Sequence, residues 1–113
     1  MKLIMAIIQP ERLAPVRQAL ADVDVTAMTV SEARGFGRQG GITTTYRGAE
    51  YRVEYVNKLK LDIVVSEPFY QAAIKAVMEA AHTGKIGDGK IFVLDVEKAY
   101  RIRTGEEDEV ALN

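Results

Sequence analysis

Eight residues, Thr83-Gly84-Lys85-Ile86-Gly87-Asp88-Gly89-Lys90, hold three glycines, two lysines and one aspartate between a helix-like and a strand-like stretch. Glycine lets backbone N–H groups converge on an anion with no Cβ in the way, and lysine adds compact positive charge. Such a turn is suited to phosphate. Its spacing from Gly84 to Gly89-Lys90 meets the pattern G-x-x-x-x-G-K, yet Ile91 stands where a P-loop needs a Ser or Thr hydroxyl for Mg²⁺. A P-loop must also open a helix, and Ile91 to Val96 reads as strand. The chemistry indicated is anion capture by something other than a P-loop.

Gly35-Phe36-Gly37-Arg38-Gln39-Gly40 satisfies G-x-G-x-x-G, but only weakly. The following Gly41-Ile42-Thr43-Thr44-Thr45-Tyr46 is a poor helix start, so no helix N-terminus receives a pyrophosphate. In this loop Arg38 and Gln39 are the side chains suited to phosphate and metal contacts. Arg101 and Arg103, an i, i+2 pair in extended chain, point two guanidiniums to one side and match phosphate oxygens. The alternative is a solvated edge answering Glu106, Glu107 and Asp108. Tyr46, Tyr51 and Tyr55 read as partner contacts, a modification site, or cross-strand residues of a hairpin arm, with the hairpin favoured. Asp62 suits a partner for Lys58 or Lys60, or a hydrogen-bond acceptor, better than a catalytic base. His82 is the single histidine and the chain has no cysteine, so a helix C-terminal contact is the better reading than zinc. No Ser-His-Asp set or activated thiol can be assembled.

These groups need a scaffold, and 113 residues at 48% hydrophobic and 27% charged suffice for one compact domain. Its core is thin enough that oligomerisation is expected. With 15 Lys and Arg against 16 Asp and Glu there is no basic excess to attract nucleic acid. The N-terminal run Leu3 to Ile8, stopped by Gln9-Pro10, lacks the length and cleavage site of a signal peptide. Nothing approaches about 18 consecutive apolar residues. A soluble, cytoplasmic protein is expected, meeting membranes only through a partner.

Leu3 to Ile8 is apolar on both faces, as in a central strand. Leu13, Val16, Leu20 and Val23 then recur at helical spacing across Pro10 to Val23, with Pro15 tolerable only in the first turn. Thr26 to Gly35 returns to strand composition. Residues 36–55 lose a clear buried face, and a loop of this length is more often functional than idle. Lys58 to Val65 alternates, with Leu59, Leu61, Ile63 and Val65 on one side and Lys58, Lys60, Asp62 and Val64 on the other. Ser66 is a natural N-cap for a helix carrying Tyr70, Ala73, Ile74, Val77 and Ala81 on one face. The order β-α-β, long loop, β-α-β predicts an α+β, ferredoxin-like βαββαβ sandwich with two helices on one sheet face. The opposite face is left for something else to cover.

Gly35-Phe36-Gly37-Arg38-Gln39, Tyr46-Arg47-Gly48-Ala49-Glu50-Tyr51, Thr83 to Phe92 and Arg101 to Glu107 together resemble the PII signal-transduction proteins, small trimeric regulators of nitrogen metabolism. The likeness runs from Met1 into the tail. It implies a homotrimer with ATP or ADP competing for each cleft between subunits, a T-loop over 36–55, a B-loop over 82–90 and a C-terminal loop over 101–113. By that resemblance Gly87, Asp88, Gly89 and Lys90 bind phosphates, and Arg101 and Arg103 reach in from the adjacent subunit. Arg38, beside Gly37, meets the terminal phosphates, while Ile7, Thr29, Asp62 and Val64 line the adenine pocket. The family senses 2-oxoglutarate on Mg²⁺ held by ATP; Gln39 completes the metal shell, and Lys58 pairs with the effector near Gly87.

The implied chemistry is coherent. A 2-oxo acid offers a carboxylate and an adjacent carbonyl, which chelate a hard cation. Its binding then needs the metal on the triphosphate, which couples the two ligands positively. An altered T-loop would control an ammonium channel or nitrogen-assimilation enzymes without catalysis. A slow ATP-hydrolysing or phosphoryl-transfer enzyme using the same pocket is the alternative, but no general base or water-positioning residue stands out. Asp62 appears where many relatives have the longer Glu. Ala49 lacks the hydroxyl that some relatives phosphorylate, and Tyr51 permits nucleotidylation.

Overall fold

The computed structural model describes residues 1–36, 42–46, 49–53 and 55–112. Eight elements follow one another: β1 Lys2–Ile8, α1 Leu13–Asp22, β2 Thr29–Gly35, β3 Ile42–Tyr46, β4 Ala49–Val53, β5 Val56–Val65, α2 Glu67–Ala81 and β6 Lys90–Asp95, with 3₁₀ turns at Pro10–Arg12 and Asp108–Leu112. The main sheet runs β2-β5-β1-β6, and every neighbouring pair is antiparallel. Each helix therefore joins two strands separated by a third, the split β-α-β arrangement of ferredoxin-like folds. The α+β reading holds, with strand and helix ends within about three residues of those expected from the pattern. No helix among the described residues is long and apolar enough to cross a membrane.

One sheet face and two helix faces build the core. Ile4, Ala6 and Ile8 of β1 and Leu61, Ile63 and Val65 of β5 are buried against Val16 and Leu20 of α1 and Ala73, Ala76, Val77 and Ala81 of α2. The alternation along β5 survives because only one of its faces meets helices. Leu59, from the same alternation, is half-buried beside this cluster. On the reverse face, Leu3 lies opposite Val64 and Leu94, and Met5 opposite Asp62 and Phe92. Phe92 and Leu94 remain 50% and 47% exposed, so this apolar surface is not covered within the chain. That accounts for β1 being apolar on both sides.

Local details modify the expected elements. Residues Pro10–Arg12 take a 3₁₀ turn before α1, which still leaves Pro15 in the first helical turn. Ser66 sits at the N-cap of α2 in extended backbone, but its side chain makes no cap bond. The following Pro68 has no N–H, and the Phe69 N–H donates to the Ser66 carbonyl at 3.0 Å, so neither usual target is open. Residues 36–55, expected as a loop with a hairpin as the favoured reading of its tyrosines, contain a two-stranded antiparallel ladder from Ile42↔Val53 to Tyr46↔Ala49. The β-branched run Ile42-Thr43-Thr44-Thr45 suits that pairing. Tyr55 lies outside it, its ring 5.7 Å from Phe36 at the base of the segment.

The C-terminus of α1 closes with the Asp24 N–H donating to the Ala21 carbonyl at 3.0 Å and the Val25 N–H to the Leu20 carbonyl at 2.9 Å. This is a Schellman arrangement, and Val25 joins Leu20 in the core as its apolar contact. Asp24 carries the left-handed conformation, φ 64°, that glycine usually fills. Asp24→Gly is therefore expected to raise stability by about 0.5–1 kcal/mol, after allowance for glycine's greater unfolded-state freedom. The midpoint of urea unfolding checks this; an unchanged or lower midpoint would show that Asp24 is not strained.

Candidate functional site

The glycine turn begins where α2 ends, and an arginine from the other end of the chain secures that end. Arg12 donates through Nε and Nη2 to the Ala80 carbonyl at 2.9 and 2.6 Å, supplying a partner for a terminal helix carbonyl. His82 occupies the C-cap in extended backbone, and its ring lies beside Gly84. Gly84, Gly87 and Gly89 then adopt φ values of 85°, 104° and 100°. At Gly89 space is decisive as well: a Cβ there would lie 1.7 Å from the Ile7 carbonyl oxygen. The turn is pressed against the end of β1 before Lys90 opens β6 opposite Ile7.

Asp88 has a different local role from the one its neighbours suggest. Its carboxylate accepts from the Thr83 N–H at 2.8 Å, the Gly84 N–H at 2.9 Å, the Thr83 hydroxyl and, at 3.3 Å, Gln9 Nε2. The Thr83 bonds, hydroxyl first, hold its carboxyl well below the usual range, at about 2. The group is thus an anion that staples the two ends of the turn together. What Asp88 can offer a phosphate is its backbone N–H, since the carboxylate would repel it.

A cleft of about 590 Å³ opens beside the turn, with Ile7, Lys58, Lys85, Gly87, Gly89 and Lys90 among its walls. Backbone at positive φ, three ammonium groups and an aliphatic wall give this cleft the chemistry to take an anion beside an apolar group. Lys58 shares a sheet face with Lys60 and Asp62 yet is buried, because its ammonium reaches under the turn to donate to the Gly87 carbonyl. Asp62 pairs with Lys60 at 3.7 Å. Thr29 lies directly opposite Asp62, and Val64 stands two residues along the strand. These three, together with Arg101 and Arg103, do not line the cleft beside the turn. Among the described candidates the structure therefore gathers Ile7, Lys58 and residues 87–90, and leaves Thr29, Asp62, Val64, Arg101 and Arg103 outside this cleft.

The tail departs from the expected extended pair. Residues 102–104 form a turn, closed by the Arg101 N–H to the Glu106 carbonyl at 2.8 Å and the Gly105 N–H to the Arg101 carbonyl at 2.7 Å. Gly105 at φ 74° allows the reversal, and Thr104 bonds Glu106 through its hydroxyl. Arg101 pairs with Glu106 at 2.7 Å and donates to the Val110 carbonyl at 3.0 Å, as the solvated-edge alternative anticipated for its charge. Arg103 is exposed and has no side-chain partner among the described residues. Lys98 bonds Asp108 at 2.9 Å, which raises the lysine and lowers the carboxyl from their ordinary values.

Gly37, Arg38 and Gln39 lie outside the described residues, as do Arg47, Gly48, Glu54 and Asn113. Tyr51 is placed by its backbone, opposite Thr44 in the hairpin. Among the described residues no group of three or more His, Asp or Glu could hold a metal ion. Arg12, Gln9 and Thr83 were not singled out from the sequence, and only Thr83, five residues before Asp88 beside a glycine, left a local signal.

A family model described as Nitrogen regulatory protein P-II matches residues 1–106. The chain is similar to the Nitrogen regulatory protein P-II of Pasteurella multocida strain Pm70, 59% identical over 112 residues, covering 99% of this chain and 100% of that protein. It is similar also to the Nitrogen regulatory protein P-II of Haemophilus influenzae and to the Nitrogen regulatory protein P-II 1 of Escherichia coli K12. Each of these is 54% identical over 112 residues, with the same coverage of both chains.

The staple sets a pH dependence. An unfolded aspartate titrates at roughly 4, and the folded value is depressed, so the carboxylate stabilises the turn above that unfolded value. Its contribution disappears as pH falls through about 2. A carboxyl ¹³C titration is expected to place the Asp88 midpoint near 2, and Thr83→Val to move it upward. An Asp88 midpoint in the ordinary carboxylate range for the unsubstituted protein would refute the staple.

Proposed function

This chain belongs to the nitrogen regulatory protein P-II family, and from that premise we propose that it is a non-enzymatic sensor of adenine nucleotide and 2-oxoglutarate. Its relatives are named as regulators. The observation that carries the reading is the turn from Gly84 to Gly89, three glycines at positive φ, stapled by Asp88 and facing a cleft with Lys58 and Lys90. ATP and ADP would compete for this turn, with phosphates on the backbone N–H groups of residues 87–89 and on Lys90. Mg²⁺, held by ATP and by Gln39, would supply a chelation site for the 2-oxo acid, whose distal carboxylate suits the Lys58 ammonium.

Two further observations support a homotrimer. The sheet face carrying Phe92 and Leu94 is apolar and open, as an interface between copies would be. The candidate ligands also divide, with Ile7, Lys58 and residues 87–90 in one cleft and Thr29, Asp62, Val64, Arg101 and Arg103 elsewhere. A site assembled from two copies uses both groups. In that assembly Arg101 would share its guanidinium between Glu106 and phosphate, whereas Arg103 is exposed and reaches outward. The hairpin of β3 and β4 then serves as the T-loop output, carrying Tyr51 as the nucleotidylation site and docking on an ammonium channel or a nitrogen-assimilation enzyme.

Calorimetry of 2-oxoglutarate with Mg-ATP, with Mg-ADP and alone tests this reading. Strong binding is expected only with Mg-ATP, and equal binding in all three would overturn it. Lys90→Ala and Arg103→Ala are each expected to weaken ATP about tenfold or more, the loss of one charge-assisted hydrogen bond. The trimer should persist in light scattering; monomers in either variant would mean these residues hold the assembly together. Gln39→Ala should keep nucleotide affinity and lose the response to 2-oxoglutarate, and a retained response would remove Gln39 from the metal shell.

A further inference from the structure

Lys58 is only 6% exposed, and among the described residues its charge has no carboxylate partner. A buried ammonium is costly unless it is hydrogen-bonded, and here the bond goes to a neutral group, the Gly87 carbonyl. The stem is tightly seated. A Cβ at Gly35 would come 3.3 Å from Lys58 Cγ, so the bare glycine of β2 leaves room for this stem. Gly87 itself is at φ 104°, a conformation in which the loop has little local preference of its own. The bond spans 29 positions and joins the start of β5 to the middle of the glycine turn.

We propose that Lys58 is a positioning residue for the glycine turn, its ammonium tethering the Gly87 carbonyl and thereby directing the N–H groups of residues 88 and 89 toward the cleft. Asp88 closes the two ends of the turn, and Lys58 holds its middle. The proposal deepens the anion-binding reading and rests on it. It adds that Lys58 contributes to nucleotide binding even when no acid effector is present. The ammonium has three N–H donors and the Gly87 carbonyl takes one, so an acid ligand can engage it while the tether stays in place. The effector and the phosphate turn are then linked through a single side chain.

The experiment uses the full chain with Lys58→Met, which keeps the stem and removes the donor, and Lys58→Arg, which keeps a donor. Without any ligand, Lys58→Met is expected to speed amide exchange at residues 84–89 about tenfold, leaving β1 and β5 unaffected. The Gly87 carbonyl ¹³C resonance should move, and ATP affinity measured without acid effector should fall about three- to tenfold. Lys58→Arg should restore most of the protection. In the unsubstituted protein the Lys58 ammonium protons should exchange slowly and show a nuclear Overhauser effect to Gly87, a readout that stands even if a variant fails to fold. Unchanged turn exchange and unchanged ATP affinity in Lys58→Met, or rapidly exchanging ammonium protons in the parent, would overturn the proposal. A parent protein that binds no nucleotide sinks the sensor reading instead, since the exchange and resonance measurements need none.

Discussion

The contact on which this architecture turns is the approach of Gly89 to the backbone of Ile7. No side chain fits between them, since even a Cβ would overlap the carbonyl oxygen of Ile7. This proximity brings the chain back to the end of β1 at the one place where Lys90 can pair opposite Ile7 and start β6. The preceding turn has to reverse direction within a few residues, which explains the positive φ values at Gly84 and Gly87. The Asp88 carboxylate and the Arg12 guanidinium then hold the two shoulders of that reversal, one from inside the turn and one from the 3₁₀ turn before α1. Hydrogen bonds of this kind add little individually, but together they restrict the backbone of the turn.

The two faces of the sheet divide the labour of the molecule. Helices cover one face with a dry cluster of Ile, Leu, Val and Ala. The other keeps an apolar middle around Met5 and Phe92, with polar groups on the β5 side, Lys60 and Asp62. The glycine turn overhangs one end of this second face, while the tail bends back beside the chain after β6. The tail arginines Arg101 and Arg103 thus lie outside the cleft that the turn lines.

Much of this was legible from periodicity. Leu61, Ile63 and Val65 alternate because β5 faces helices on one side only, and the apolar spacing in both helices tracks the same core. The tight reversal over residues 83–90 was readable from its three glycines, all at positive φ. Asp88 was harder, because composition places a carboxylate beside lysines without disclosing that Thr83 and Gln9 satisfy it internally. Arg12 left no sign at all, since its acceptor Ala80 lies 68 positions away and only tertiary packing brings them together. The tail misled for a local reason. An Arg-x-Arg pair looks extended, but Thr104 and Gly105 favour a reversal that periodicity does not register.

The open sheet face has a consequence for the life of the chain before it finds a partner. A freshly translated copy carries Phe92 and Leu94 half in water, beside strand edges at β2 and β6 that offer unpaired backbone. Such surfaces recruit other unfinished chains as readily as correct ones. While bare, this face is a route to association that grows faster as the chain becomes more concentrated.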